Sequence, residues 1–232
     1  MGVFQAYSGQ VKMALWWIII GAVFDFFDGM SARLLKVSSP IGKELDSLAD
    51  NVTFGVAPAT IILFELSVID YPSFMQKILF SQVSLQTVTP YVAFILIVAF
   101  SALRLAKFNI DERQTTSFIG LPTPANALFW GSLIATRSEW LETSTWMVPV
   151  VLIMVAFSAW LLVSEIPMFA LKFKHWGWKG NEVKYCFILF AIVAIALFGP
   201  LAAFWVVIAW YFILSVILDV IKRDSLSDVE QQ

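Results

Sequence analysis

The chain has 232 residues, 59% of them hydrophobic and 14% charged, with a mean hydropathy of +0.81 and a formal net charge of −2. That leaves too little polar side chain to clothe a soluble globule, so the sequence reads as an integral membrane protein. Its apolar runs are about 17 to 25 residues long, the length a helix needs to cross a hydrocarbon core, and they lack the strand-length alternation of a membrane barrel. The expected fold class is therefore all-α, a polytopic membrane helix bundle.

Residues 1–10 contain neither a basic n-region nor an apolar h-region, so they do not read as a signal peptide. Ala6 also stands where a myristoylation motif needs Ser or Thr. Seven hydrophobic segments follow, at 11–33, 43–66, 88–108, 120–137, 146–164, 183–199 and 201–220. Pro122 and Pro124 break the start of the fourth, and Arg137, Ser138 and Glu139 close it. Gly199 and Pro200 predict a tight turn that makes the last two segments a helical hairpin. The expected organisation is a single transmembrane domain over 1–222 and a polar cytoplasmic tail over 223–232. The one cysteine, Cys186, lies within an apolar run and reads as a small packing residue. His175 sits among Lys172, Lys174 and Trp176, a basic loop that suits solvent or lipid headgroups better than a metal.

Lys and Arg give the orientation, because cytoplasmic loops retain them. If the 34–42 loop is inside, so are Arg33, Lys36, Lys43, Arg104, Lys107, Arg113, Lys172, Lys174, Lys179, Lys184, Lys222 and Arg223. Only Lys12, Lys77 and Arg137 then lie outside, and the N-terminus of the chain with them.

The chemistry concentrates between residues 25 and 50. On a helix advancing about 100° per residue, Asp25, Asp28, Gly29 and Ala32 share a face with Arg33 at its edge. On the next helix Asp46 and Asp50 stand one turn apart. Ionised side chains in or beside apolar stretches cost several kcal/mol unless they pair or bind a cation. A structural ion-pair network would account for two of these residues, but four carboxylates against one arginine leave charge that burial does not tolerate. Hard oxygen ligands with no Cys or His nearby suit Mg²⁺ or Mn²⁺, and four carboxylates can bridge two divalent ions about 4 Å apart, as in phosphoryl displacement. Gly29 and Gly42 would let a pyrophosphate approach the backbone, and Arg33 can offer it a bidentate fork.

The run from Asp25-Phe-Phe-Asp28-Gly29-Met-Ser-Ala32-Arg33 to Gly42-Lys-Glu-Leu-Asp46-Ser-Leu-Ala-Asp50 resembles, position for position, the signature of the CDP-alcohol phosphotransferases. The stretches Leu45 to Ala59, Leu103 to Asn109 and Phe118 to Ala125 resemble that family's phosphatidylserine synthase branch. The resemblance implies that Asp25, Asp28 and Asp46 bind the metals. It makes Asp50 the general base beside them, and Gly29, Arg33 and Gly42 the contacts to the CDP portion. It implies attack of the L-serine hydroxyl on the β-phosphorus of CDP-diacylglycerol with release of CMP. Membrane lipids would surround the protein, with no nucleic-acid partner and a homodimer as the possible assembly. The expected location is a bacterial inner membrane, with the active site facing the cytoplasm. Members of this branch usually open with a further helix, whereas only residues 1–10 precede segment 11–33 here. The sequence therefore reads as starting late, with the first family helix missing.

Arg104 and Lys107, nearly one turn apart at the cytoplasmic end of the third segment with Asn109 just beyond, are candidates for the serine carboxylate. Anchoring of that helix end by positive charge explains them equally well. Three rivals to the main reading stand beside it. One is a relative acting on another alcohol or another lipid backbone. Another is a divalent-cation transporter, which would need access from both faces and commonly carries paired repeats; no internal repeat is visible. The third is a purely structural membrane subunit, which leaves the carboxylate cluster unexplained.

Overall fold

The computed structural model describes residues 1–36, 39–80, 83–111, 118–169, 177–178 and 181–230. The side chains of Arg33, Ile78, Leu79, Phe80, Phe118, Trp140, Glu142 and 222–230 lie outside that description. His175 falls outside the described residues, as do Arg113, Lys172, Lys174, Trp176 and Lys179.

A short helix α1 (Gly2–Tyr7) turns at Gly9, whose φ is +75°, into α2 (Val11–Leu35). The second membrane segment is one continuous helical rod in three parts: α3 (Pro40–Asp50), a π-helical turn (Asn51–Val56) and α4 (Ala57–Val68). Its start follows from local chemistry. The Ser39 hydroxyl accepts from the Gly42 N–H at 3.0 Å, and Pro40 occupies the first turn, where its missing N–H costs nothing. After α5 (Ser73–Gln76) and a small ribbon of β1 (Ile78–Phe80) and β2 (Val83–Ser84), α6 runs over Leu85–Ile110. Ser84 caps α6, so it begins before the segment expected from residue 88.

Helix α7 (Thr123–Glu142) loses helical geometry at Arg137, where the sequence closes the fourth segment. Helix α8 covers Met147–Val163. The pair β3 (Phe118–Ile119) and β4 (Pro167–Met168) ties the entry of α7 to the exit of α8. Helices α9 (Glu182–Phe198) and α10 (Pro200–Glu230) form the predicted hairpin about Gly199, whose φ is +80°. Helix α10 continues through the polar residues after Lys222 as far as Glu230.

Helices thus occupy all seven expected segments. Four of these spans, Val11–Ala32, Pro40–Val68, Leu85–Ile110 and Pro200–Ile221, are long and apolar enough to cross a bilayer, and Met147–Val163 is a shorter apolar helix. The all-α membrane bundle stands, and the chain is an integral membrane protein.

The core sits where α4, α6, α7 and α8 meet, around Ile61, Ile62, Leu66, Ile97, Trp130, Val151 and Val155. Trp130 is fully buried there, and its indole N–H donates to the Ser158 hydroxyl at 3.0 Å, so its one polar atom is satisfied. Outward positions are apolar, as lipid requires: Phe24, Phe26 and Phe27 on α2 and Ile192 and Leu197 on α9 are exposed. Cys186 belongs to that outer surface. It is exposed on α9, which corrects its expected place among packed side chains, because an apolar run wrapped in lipid turns residues outward as well as inward.

Candidate active site

Helix α2 carries Asp25 and Asp28, and the rod beginning with α3 carries Asp46 and Asp50. Their approach depends on Gly21. A Cβ at that position would stand 2.5 Å from Cγ2 of Thr53 in the π-helical turn, so only glycine lets the two helices come this close. One turn beyond Gly21 is Asp25. Asp50 directly precedes the π-helical turn, and Asp46 stands one turn before Asp50.

The result is a three-carboxylate cluster. Asp25, Asp28 and Asp46 each bring one oxygen into a group whose members lie within 4.8 Å of one another. Three anionic groups from two helices at that spacing repel one another. A divalent cation reverses the sign of that interaction, and the all-oxygen donor set fits Mg²⁺ or Mn²⁺. Asp50, half-buried, stands outside this group but close enough to interact electrostatically with all three members. The π-helical turn begins at the next residue, Asn51. Such wide turns are frequent at functional sites, where they re-aim side chains that a regular helix would place elsewhere.

Gly29 lies half-buried between the aspartates of α2 and the helix end. Gly42 lies in the first turn of α3, where a Cβ would meet the Ser39 hydroxyl oxygen at 2.8 Å, so the cap itself requires glycine. Arg33 has its backbone in α2, and its side chain is among those not described.

At the same end of the bundle, Arg104 and Lys107 line one cavity of about 320 Å³ together with Asp111, Ile119, Ser164 and Glu165. The two basic residues differ in their surroundings. Lys107 is exposed and its ammonium donates to the Val163 carbonyl at 3.2 Å, satisfying an orphan acceptor at the end of α8. Arg104 is 5% exposed, lies 5.0 Å from the Phe108 ring centroid, and keeps its buried Nε without a hydrogen-bond partner. A buried unpaired N–H costs about 1–3 kcal/mol.

Two of the three basic residues expected outside can be placed. Lys12, Val68 and Ser138 line another cavity, which brings the start of α2 and the ends of α4 and α7 together away from the aspartates. The expected outside residues Lys12 and Arg137 thus belong to the end opposite the carboxylates.

Several residues that shape the site carry no chemistry of their own and escaped the sequence reading. Gly21 looks like any small residue in an apolar run. Ser47 and Asn109 meet across 62 positions, with the Asn109 amide donating to the Ser47 hydroxyl at 2.8 Å. The i, i+4 relation of Gly21 to Asp25 was the one available signal for the glycine. For the Ser47–Asn109 pair, the signal was that each lies inside a stretch matching the same family branch.

Known proteins agree with this geometry. The CDP-alcohol phosphatidyltransferase family profile matches residues 1–176. A Helicobacter pylori protein named CDP-diacylglycerol–serine O-phosphatidyltransferase is 31% identical over 222 residues, spanning 92% of this chain and 86% of that protein. A Mycobacterium leprae protein of the same name is 32% identical, over 89% of this chain and 65% of its own length. One from Bacillus subtilis is 39% identical over 118 residues, half of this chain. With its aspartates gathered at one end of a helical membrane bundle, the chain belongs to the CDP-alcohol phosphatidyltransferase family.

Proposed function

We propose that this protein transfers the phosphatidyl group of CDP-diacylglycerol to the hydroxyl of L-serine, giving phosphatidylserine and CMP. The observation that carries the reading is the cluster of Asp25, Asp28 and Asp46, held within 4.8 Å across two helices at the family's motif positions. The names of the similar proteins supply the alcohol.

Asp25, Asp28 and Asp46 would hold divalent metal, two Mg²⁺ or Mn²⁺ ions, with Asp50 offering a further oxygen. Metal held there would offset charge on the pyrophosphate and on the departing CMP. Gly29 and Gly42 leave room for the nucleotide phosphates, and Arg33 pairs with them. Asp50 is the general base. The serine hydroxyl has a high pKa, so its proton passes to Asp50 as oxygen bonds to the β-phosphorus and the bond from that phosphorus to the CMP oxygen breaks. Arg104 holds the serine carboxylate, with Lys107 beside it. A carboxylate would satisfy the buried Nε of Arg104 and bring the serine to the end of the bundle that holds the aspartates.

The diacyl chains stay in the bilayer while the nucleotide head reaches the site, so the lipid need not be extracted. The sorting of Lys and Arg supports a cytoplasmic site in the inner membrane of a bacterium. The test is CMP release from CDP-diacylglycerol and L-serine by the purified chain in lipid vesicles with Mn²⁺. The expected result requires both substrates and stops with chelator. CMP release that ignores serine and proceeds with glycerol phosphate or inositol phosphate would replace the alcohol.

A further inference from the structure

Helix α3 carries Asp46 and Asp50, yet none of its residues is buried. Ile41, Leu45 and Leu48 face outward at 71%, 59% and 64% exposure, so apolar packing does little to fix this helix. At its far end it is continuous with the π-helical turn. Along its length it is tied sideways to the last turn of α6 by hydrogen bonds. The Lys43 ammonium donates to the Asn109 carbonyl at 2.6 Å, and the Asn109 side-chain amide donates to the Ser47 hydroxyl at 2.8 Å. The Ser47 hydroxyl in turn donates to the Lys43 carbonyl at 3.1 Å. That last bond uses the only hydroxyl proton of Ser47, so Ser47 can only accept from Asn109, which fixes the orientation of the amide. Ser47 directly follows Asp46.

We propose that Asn109 is a positioning residue for the metal-holding face: through Ser47 and Lys43 it latches α3 to α6 and so sets where Asp46 stands relative to Asp25 and Asp28. The inference rests on the reading that these three aspartates hold a divalent ion. Hydrogen bonds of this kind contribute only about 1 kcal/mol each to stability. Their effect on the site is larger, because Mg²⁺ demands near-ideal octahedral geometry and Asp46 comes from a different helix than its two companions. Outer partners that orient metal ligands are typically worth 10–100-fold in metal affinity or activity. Asn109 acts one residue removed from the ligand, so the lower end of that range applies.

The experiment measures Mn²⁺ binding to the full chain in detergent by electron paramagnetic resonance, without substrate. Wild type, Asp46→Asn, Asn109→Ala, Ser47→Ala, Ser47→Thr and the Asn109→Ala/Ser47→Ala double variant are compared, with melting temperature and both substrate KM values recorded. Asn109→Ala and Ser47→Ala should each weaken Mn²⁺ binding about tenfold. The double variant should be no worse than either alone, because both remove one interaction. Ser47→Thr keeps the hydroxyl and should keep the affinity. Unchanged Mn²⁺ affinity in Asn109→Ala overturns the latch. So does weaker binding that merely tracks a fall in melting temperature shared by Ser47→Thr. If wild type binds no Mn²⁺, or Asp46→Asn binds it equally well, the metal reading itself has failed, a different outcome from wild-type binding that Asn109→Ala leaves intact.

Discussion

Helices α3 and α4 belong to one continuous rod, yet they are held in place by different physics. In α4, Ala57 to Ile62 together with Glu65 and Leu66 are buried, and the helix is wedged between α6 and α7. In α3 no residue is buried, and the helix presents carboxylates on one side and apolar side chains on the other. The π-helical turn is the border between them. The half of the rod that carries the carboxylates is thus the half that packing fixes least, and hydrogen bonds to α6 hold it instead. Unpaired carboxylates at close range are a standing electrostatic cost, which a site meant to bind cations keeps and a core removes.

This contrast can be broken from either side. Asp25→Asn, Asp28→Asn or Asp46→Asn should each abolish turnover, because a neutral amide oxygen holds Mg²⁺ or Mn²⁺ far more weakly than a carboxylate. The same variants should melt no lower than wild type without metal, since each relieves repulsion within the cluster. Trp130→Ala should do the reverse, costing about 3–5 kcal/mol of stability through the cavity and the lost bond to Ser158. Its Mn²⁺ affinity per folded molecule should hold. CMP release and thermal unfolding in detergent, measured on the same preparations, check both arms.

Asp50 sharpens the comparison within the site. As the proposed base, it would contribute roughly 10²–10⁴ in rate. Asp50→Asn should lose a factor in that range while CDP-diacylglycerol affinity, read by equilibrium binding, stays near wild type. Equal losses of rate and affinity would make it a plain metal ligand.

Arg104 tests the other basic residue environment at this end. In the proposed site, Arg104→Gln would remove a charge-assisted partner of the serine carboxylate, an interaction worth about 1.5–3 kcal/mol. The serine KM should rise about ten- to a hundredfold with the CDP-diacylglycerol KM unchanged. Lys107→Gln should do less, because the Lys107 ammonium is already engaged by the Val163 carbonyl. A fall in membrane insertion with no change in serine KM would identify Arg104 as an anchor.

Much of this was legible in the sequence because it is periodic or compositional. The seven segments follow from hydropathy, and the shared faces of Asp25 with Asp28 and of Asp46 with Asp50 follow from the helical repeat. That the two faces meet rests on contacts between helices, among them Gly21 against Thr53, which no single-helix pattern encodes. The π-helical turn is invisible for the same reason: nothing local in Asn51 to Val56 distinguishes a wide turn from a regular one, and its neighbours lie on α2, α6 and α7. The Asn109 latch is a long-range pairing of two common polar residues. Cys186 shows the opposite failure, since hydropathy reports that a segment is apolar without reporting which side faces lipid.

Gly21 joins the two halves of the comparison, because it lies on the helix of Asp25 and against the turn that separates α3 from α4. In Gly21→Ala the new methyl would sit 2.5 Å from Thr53 Cγ2, and a β-branched side chain has little freedom to rotate away. The helices must part by some tenths of an ångström. Overpacking of this kind costs about 1–3 kcal/mol. The separation also moves Asp25 and Asp28 from Asp46, so Mn²⁺ affinity should fall a fewfold in step. Thr53→Ser removes the Cγ2 methyl and nothing else. Added to Gly21→Ala, it should restore the melting temperature and the Mn²⁺ affinity together, whereas recovery of stability without recovery of metal binding would show that the approach of α2 to the rod serves packing alone.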